Sequence, residues 1–422
     1  MFEKEMIIWA KHLYPFCRSI TGEGTRKTLS FFEKINPEFK RKKYRSGAKV
    51  FDWEIPNEWN IEDAYIQHST GKKFAEFKKN NLHIVGYSEP INKYISKEKL
   101  LKKIYSLKNQ PSFIPYVTSY YNKDWGFCMS ENDKKKLPRG KYKIVIKSSL
   151  KKGFLELSDC ILKGKSKKEI FFSSYICHPS MANNELSGPV LVNALIKYVK
   201  KFYKKRRYTY RFVLLPETIG SITYLSRFHK VLKKNMLAGF NLSCVGDEKN
   251  YTQVFTPNEK TIADSALYSS LIGKKNVKNL SFKYRGSDER QYCSPLINLP
   301  VTAFYRSKYF NEYHTNKDDF KLVTAKGLGE SFEVIKNIID TFEEGIFTKN
   351  TIKCEPFMSK RKLYRNLSKK DLYDEKSQNT RMNLIAFSDG KRNIFEIAKE
   401  LNVPLSKILK EYKLIKKFKI LK

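Results

Sequence analysis

The sequence predicts an α/β protein: a mostly parallel sheet flanked by helices, with a β-rich insertion and a C-terminal winged helix. Three observations predict it. From Gly153 onward, strand-like apolar runs alternate with amphipathic helical runs, the pattern of a helix-covered parallel sheet. From Arg41 to about Ser149 the texture changes to short alternating runs rich in aromatics and prolines. Near the C-terminus the order is helix, turn, helix, strand, as in a winged helix.

Taken in order, Glu3 to Ile35 reads as two helices around a turn that contains Arg18, Gly22, Gly24 and Arg26. In the insertion, Lys97–Leu107 reads as a helix and Tyr142–Ile146 as a strand. Strands are predicted at Glu169–Ile176, Tyr208–Leu215, Ala238–Val245, Ser281–Tyr284 and Val301–Tyr305. Helices are predicted at Val190–Lys204, Ile219–Lys233, Thr261–Leu271 and Thr324–Ile346. Lys349–Lys376 is polar and basic and reads as a linker or surface arm. In the tail, Met382–Phe387 is apolar, Ile394–Leu401 and Leu405–Leu414 are helices, and Lys416–Leu421 is a strand. The expected domains are therefore 1–40 with 150–348 (α/β), 41–149 (insertion), 349–380 (linker) and 381–422 (winged helix).

Composition narrows the classes. A chain of 422 residues has room for two or three domains. No run of about 18 apolar residues occurs, so no membrane span is expected. The seven cysteines are scattered, with no C-x-x-C pair. That argues against a disulfide framework or a thiolate zinc cluster, and a reducing cytoplasm is expected. The net charge of +39 invites a nucleic-acid reading. Most of it is lysine spread along the whole chain, whereas specific phosphate and base contacts favour arginine.

The candidate chemistry lies in loops beside the predicted strands. Cys177 to Pro189 joins the end of one strand to the start of a helix, and it carries His178, Asn183, Asn184 and Glu185. Further loops carry Glu217, then Asp288 and Arg290, then Tyr313 and His314. Loops at the carboxyl ends of parallel strands converge, so His178, Glu185, Glu217 and His314 are expected to meet. Two imidazoles and a carboxylate with an open position make a catalytic zinc set, and a further carboxylate can serve as base for the metal-bound water. Each residue also has a plainer reading. Glu217 can cap the next helix, Asp288 can pair with Arg290, and His314 can bond Asp318 or Asp319.

At these residues the chain resembles a bacterial aminopeptidase-like family with a nested insertion and a C-terminal winged helix. The family, numbered 4910 among domains of unknown function, often lies near polysaccharide-biosynthesis genes. The resemblance rests on residues 15–29, 51–66, 82–92, 114–128, 175–189, 214–225, 284–292 and 313–319. It implies a zinc-aminopeptidase-like core that holds two zinc ions with two histidines and several carboxylates. His178 and His314 match the two histidines, and Ser187-Gly188 matches the end of the bridging-Asp motif. Asn184 falls where the bridging Asp belongs, Ser243 where a second Asp belongs, and Ser180 where an Asp follows the first His. Glu217 stands alone where the family has a Glu pair. With fewer carboxylates, one zinc ion is expected, held by His178, Glu185 and His314. Glu217 and Asp288 are the expected catalytic groups, and Arg18, Arg290, Asn184 and Tyr313 the expected substrate contacts.

The resulting expectation is a zinc-dependent hydrolase of an amide or peptide-like bond, with a small peptide-like or modified-sugar substrate. The alternative is a degenerate peptidase fold that binds a small ligand and acts as a regulator or adaptor through its winged helix. The second tail helix offers Lys407, Lys410 and Lys413 but no arginine. Docking of the tail on its own core or on a protein partner is expected ahead of DNA reading. A homo-oligomer is compatible with the sequence.

Overall fold

The computed structural model describes residues 2–363 and 375–422. Helices α1 (Glu3–Leu13) and α2 (Glu23–Ile35) lead into strand β1 (Phe39–Arg45). The insertion follows, with β2 (Glu58–His68), β3 (Lys73–Phe74), β4 (Ile91–Ser96) and β5 (Lys141–Lys151). These four form an antiparallel sheet of their own, in the order β3-β2-β5-β4. The helix expected over Lys97–Leu107 is one short turn, Lys97–Leu101, before the strand Ile104–Tyr105.

The chain then returns to the main sheet through β6 (Phe154–Leu162), β7 (Glu169–Tyr175), α3 (Ser187–Phe202), β8 (Thr209–Leu215), α4 (Ile219–Asn235) and β9 (Met236–Leu242). β10 (Tyr251–Val254), α5 (Ile262–Leu271), β11 (Val277–Leu280), β12 (Val301–Tyr305) and α6 (Ala325–Glu344) complete it. The strand expected at Ser281–Tyr284 is displaced to β11, and Phe282–Tyr284 is a single 3₁₀ turn.

The main sheet is eight-stranded, in the order β1-β6-β8-β7-β9-β12-β10-β11. Its centre, β8-β7-β9-β12, is parallel, while β1 and β6 run antiparallel at one edge and β10 antiparallel to β12 at the other. The sheet is thus mixed, with a parallel heart. The central strands are buried on both faces, so they read as continuous apolar runs rather than alternating ones. On one face Phe172 stacks between Phe212 and Phe240, at 5.1 and 5.3 Å, under α1, α3, α5 and α6. On the other, Phe171, Val213 and Leu215 pack with α4 and the insertion. Gly188, in the first turn of α3, is required by close approach: a Cβ there would lie 2.2 Å from Ser174 Oγ and 2.4 Å from Leu242 O.

The tail holds β13 (Phe347–Lys349), α7 (Glu375–Phe387), β14 (Asp389–Asn393), α8 (Ile394–Glu400) and α9 (Leu405–Lys417). The expected linker 349–380 lies in part outside the described residues. Of its described part, Lys349 ends β13, which pairs with β14, and Glu375 already begins α7. The strand expected over Lys416–Leu421 is shorter, because α9 runs on to Lys417. Only the last residues pair with the chain at 349–351. Among the described residues, no helix is long and apolar enough to cross a membrane.

Candidate active site

Because β8, β7, β9 and β12 are adjacent and parallel, their carboxyl ends open onto one edge. The loop after β7 brings His178, that after β8 brings Glu217, and that after β12 brings His314. The His178 and His314 rings lie 5.3 Å apart, and His178 Nε2 is 3.8 Å from a Glu217 oxygen. All three line a cavity of about 490 Å³ together with Trp53, Tyr116, Tyr120 and Arg290.

His178 is fixed from behind. Its Nδ1 is 2.8 Å from Glu185 Oε2, and Arg18 Nε donates to its backbone carbonyl at 3.0 Å. Arg18 also lies 3.7 Å from Glu185, with both side chains fully buried. Glu185, expected beside His178 as a fellow ligand, is therefore spent on its far nitrogen. With Nδ1 engaged by Glu185, Nε2 is the nitrogen on the Glu217 side, at the cavity. Cys177, His178 and Glu185 do offer three donor atoms within 4.8 Å of one another. Cys177 and His178 of that cluster line the cavity, but the Cys177 thiol accepts the Glu217 backbone N–H and Glu185 does not line it. The open side belongs to His178, Glu217 and His314.

Burial lowers both imidazoles to about 3, helped by the Arg18 charge at His178 and by His178 at His314. Neutral rings are what a metal needs. His314 Nε2 is buried without a hydrogen-bond partner, a costly state for a polar atom unless something binds there. Burial also raises Glu217, and the neighbouring Asp288 raises it further. Asp288, raised by burial as well, accepts from the Thr218 backbone N–H at 2.8 Å and the Ser221 hydroxyl at 2.7 Å. It does not pair with Arg290, which donates to the Thr218 hydroxyl at 2.6 Å. Thr218, β-branched and next to Glu217, sits at φ 64°, a strained conformation.

Of the four expected substrate contacts, three (Arg18, Asn184 and Tyr313) are not in the cavity lining. Arg18 is wholly buried on backbone carbonyls and Glu185, so it holds the loop and does not reach the cavity. Asn184 sits under Tyr175, whose hydroxyl reaches its Oδ1 at 3.5 Å and Ser243 Oγ at 2.5 Å. Tyr313 is exposed and stacks on His314 at 4.0 Å, while Arg290 stands at the cavity.

Sequence reasoning missed three groups. Tyr116 packs edge-on against both His178 and His314, at 5.2 and 5.3 Å. Its backbone N–H donates to the His314 carbonyl at 2.8 Å, so the insertion fixes the second histidine, itself at φ 56°. Asp318, read only as a partner for His314, instead accepts the backbone N–H groups of Asn183 at 2.6 Å and Asn184 at 2.8 Å. Asp247 bonds the Asn183 carboxamide and Ser307. Asp247 and Asp318 stand in polar stretches of the sequence, which gave no sign of these bonds.

This fold and this cluster of loops define an aminopeptidase-like α/β protein. The chain belongs to the family described as "Domain of unknown function (DUF4910)", which it matches over residues 8–345, and residues 346–422 match a winged helix-turn-helix family. A Clostridium acetobutylicum protein described as a polysaccharide biosynthesis protein with an aminopeptidase-like domain is 39% identical over 400 residues, covering 92% of this chain and 89% of that one. A crystal structure from Clostridium acetobutylicum, described as that of a peptidase, superposes with a TM-score of 0.90 at 36% identity, covering 100% of this chain and 96% of the other. A zinc aminopeptidase from Bacillus subtilis shares the fold, with a TM-score of 0.58 at 13% identity, covering 80% of this chain and 93% of the other.

Proposed function

We propose that the chain is a zinc-dependent hydrolase of an amide or peptide-like bond, acting on a small substrate linked to surface-polysaccharide biosynthesis. The observation that carries it is the unpartnered, buried Nε2 of His314 beside a neutral His178 and Glu217. The two neutral imidazoles offer two nitrogen ligands to one zinc ion, with water or substrate completing its shell. His178 and His314 would hold it through Nε2, with Glu185 orienting His178 from behind. Bound zinc would lower the pKa of a water and polarise a carbonyl. Glu217 is the base: it lies at the cavity, and its raised proton affinity suits transfer near neutral pH. Asp288 sustains that affinity as a buried like-charged neighbour and holds Thr218 in place. A second ion is disfavoured, because Asn184, Ser243 and the Tyr175 hydroxyl form a neutral hydrogen-bonded group where the family resemblance places carboxylates.

The test is metal analysis of protein purified without added metal. About one zinc per chain is expected. His178→Ala and His314→Ala should lose it, whereas Glu217→Gln should keep it and lose amide hydrolysis. The missing carboxylates at 184 and 243 favour one other reading, a ligand-binding protein with a retired site. Wild-type protein that takes up no zinc under any loading condition would establish that reading instead.

A further inference from the structure

We infer that the cavity binds an anionic amide, with Arg290 as the anion contact and the aromatic wall of the insertion as the contact for the body of the substrate. The inference rests on the proposed function for where the cut bond lies, but not for the binding itself.

Arg290 carries the argument. A guanidinium has five N–H donors, and one of Arg290's is used, on the neutral Thr218 hydroxyl. No carboxylate of the described residues lies within ion-pair distance of it. Asp288, the acidic residue nearest in sequence but one, is buried and engaged with Thr218 and Ser221. The other arginines near the site are committed: Arg18 to Glu185, and Arg306 to Glu330 and the Asn250 and Gly327 carbonyls. Arg290 is exposed at the cavity lining, which it shares with Glu217 and His178. An arginine held at a cavity by one neutral contact presents its remaining donors to a carboxylate or phosphate, the geometry that fork recognises best.

The opposite wall comes from the insertion. Trp53, Tyr116, Tyr120 and Tyr121 line the same cavity. Tyr116 and Tyr120 are tied through their hydroxyls at 3.0 Å, and the Tyr121 hydroxyl donates to the Glu54 carbonyl at 2.8 Å. Trp53 meets Tyr121 edge-on at 6.0 Å. These bonds fix four flat apolar faces in place before any ligand arrives, which suits a ring or short apolar chain. A substrate that meets both this wall and Arg290 lies in the cavity that His178, Glu217 and His314 also line.

The test is calorimetric binding of paired probes, one member with an anionic group and one without. N-acetyl-L-leucine is compared with the uncharged N-acetyl-L-leucinamide, and N-acetylglucosamine 1-phosphate with N-acetylglucosamine, so the two pairs separate a carboxylate from a phosphate source. In wild-type protein the acidic member of at least one pair should bind about tenfold or more tightly. Arg290→Gln should erase that preference, and Arg290→Lys should retain part of it. Trp53→Ala, an exposed position, should weaken both members of the pair alike. Equal binding within each pair, no binding of either acidic probe, or a preference that survives Arg290→Gln would overturn the inference. An intact charge preference in protein that binds no zinc and cuts no amide would sink the hydrolase reading and leave this one standing.

Discussion

Glu185 shows how much a single atom contact decides. Spacing alone makes it a ligand, seven residues after His178 on the same loop. The fold instead seats its carboxylate between His178 Nδ1 and Arg18, where it orients one group and neutralises another. Burial raises the Glu185 carboxyl well above its ordinary range, and the Arg18 charge pulls the other way. Glu185→Gln keeps a hydrogen-bonding partner for Nδ1 but removes the acid that faces the buried Arg18. A loss of roughly 3–5 kcal/mol in folding stability is expected, the usual cost of stranding a buried charge. Zinc affinity should fall by about 10–100-fold rather than vanish, as for groups behind a ligand. Denaturant unfolding and competitive zinc titration of Glu185→Gln beside His178→Ala measure both. Equal and complete zinc loss in the two variants would restore Glu185 to the ligand set.

At the scale of elements, the insertion is stitched to the loop that carries His314. Asn316 Oδ1 accepts the Ile114 N–H at 2.8 Å, and Asn316 N–H donates to the Ile114 carbonyl at 3.0 Å. Asn316→Ala removes one of these acceptors, at an expected cost of about 1–3 kcal/mol. Zinc affinity should fall with it, although Asn316 is no ligand; unchanged affinity in a destabilised variant would separate the insertion from the site. A second clasp joins α2 to β2. Burial opposes ionisation of Glu58, but bonds from Arg26, Asn60 and the Phe154 N–H hold its carboxyl down at about 2, against an ordinary value of 4.5. A depressed carboxylate stabilises the fold above its unfolded value and loses that contribution as pH falls towards its folded value. Between pH 4.5 and 2, wild type should therefore lose stability more steeply than Glu58→Gln. Urea midpoints across that range would show it, and parallel curves would refute it. The site's outline was legible because parallel strands must deliver their loops to one edge, which made His178, Glu217 and His314 neighbours on topology alone. Tyr116 and Asp318 were not legible. Their roles rest on main-chain bonds to His314 and Asn183–Asn184, and such bonds leave no residue pattern. Arg18 misled because arginines beside a glycine turn look exposed, and only the packing of α1 against the site loop buries this one.

Over the whole molecule, the tail is part of the body. Ile394, Phe395, Ile408 and Ile415 lie in the same apolar cluster as Phe332, Ile338 and Phe342 of α6, and Phe395 meets Phe342 at 5.1 Å. α8 packs on α5 and α9 on α6, and Lys413 and Lys416 lie 3.5 Å from Glu344 at the end of α6. Phe395→Ala should then cost about 3–5 kcal/mol in a single cooperative unfolding transition. A separate early transition would mean the tail folds on its own. The same packing bears on nucleic acid. The face of α9 left to solvent carries Ser406, Lys410, Lys413 and Lys417, charge without a planar group to read base edges. Any binding to duplex DNA should be counter-ion release alone: weak, indifferent to sequence and steeply reduced by salt. Lys410→Glu with Lys417→Glu should weaken it in a gel shift at low salt and leave zinc content unchanged. A preferred sequence that holds at physiological salt would instead make the winged helix a DNA reader, and its docked position on α5 and α6 would then have to open for α9 to enter a groove.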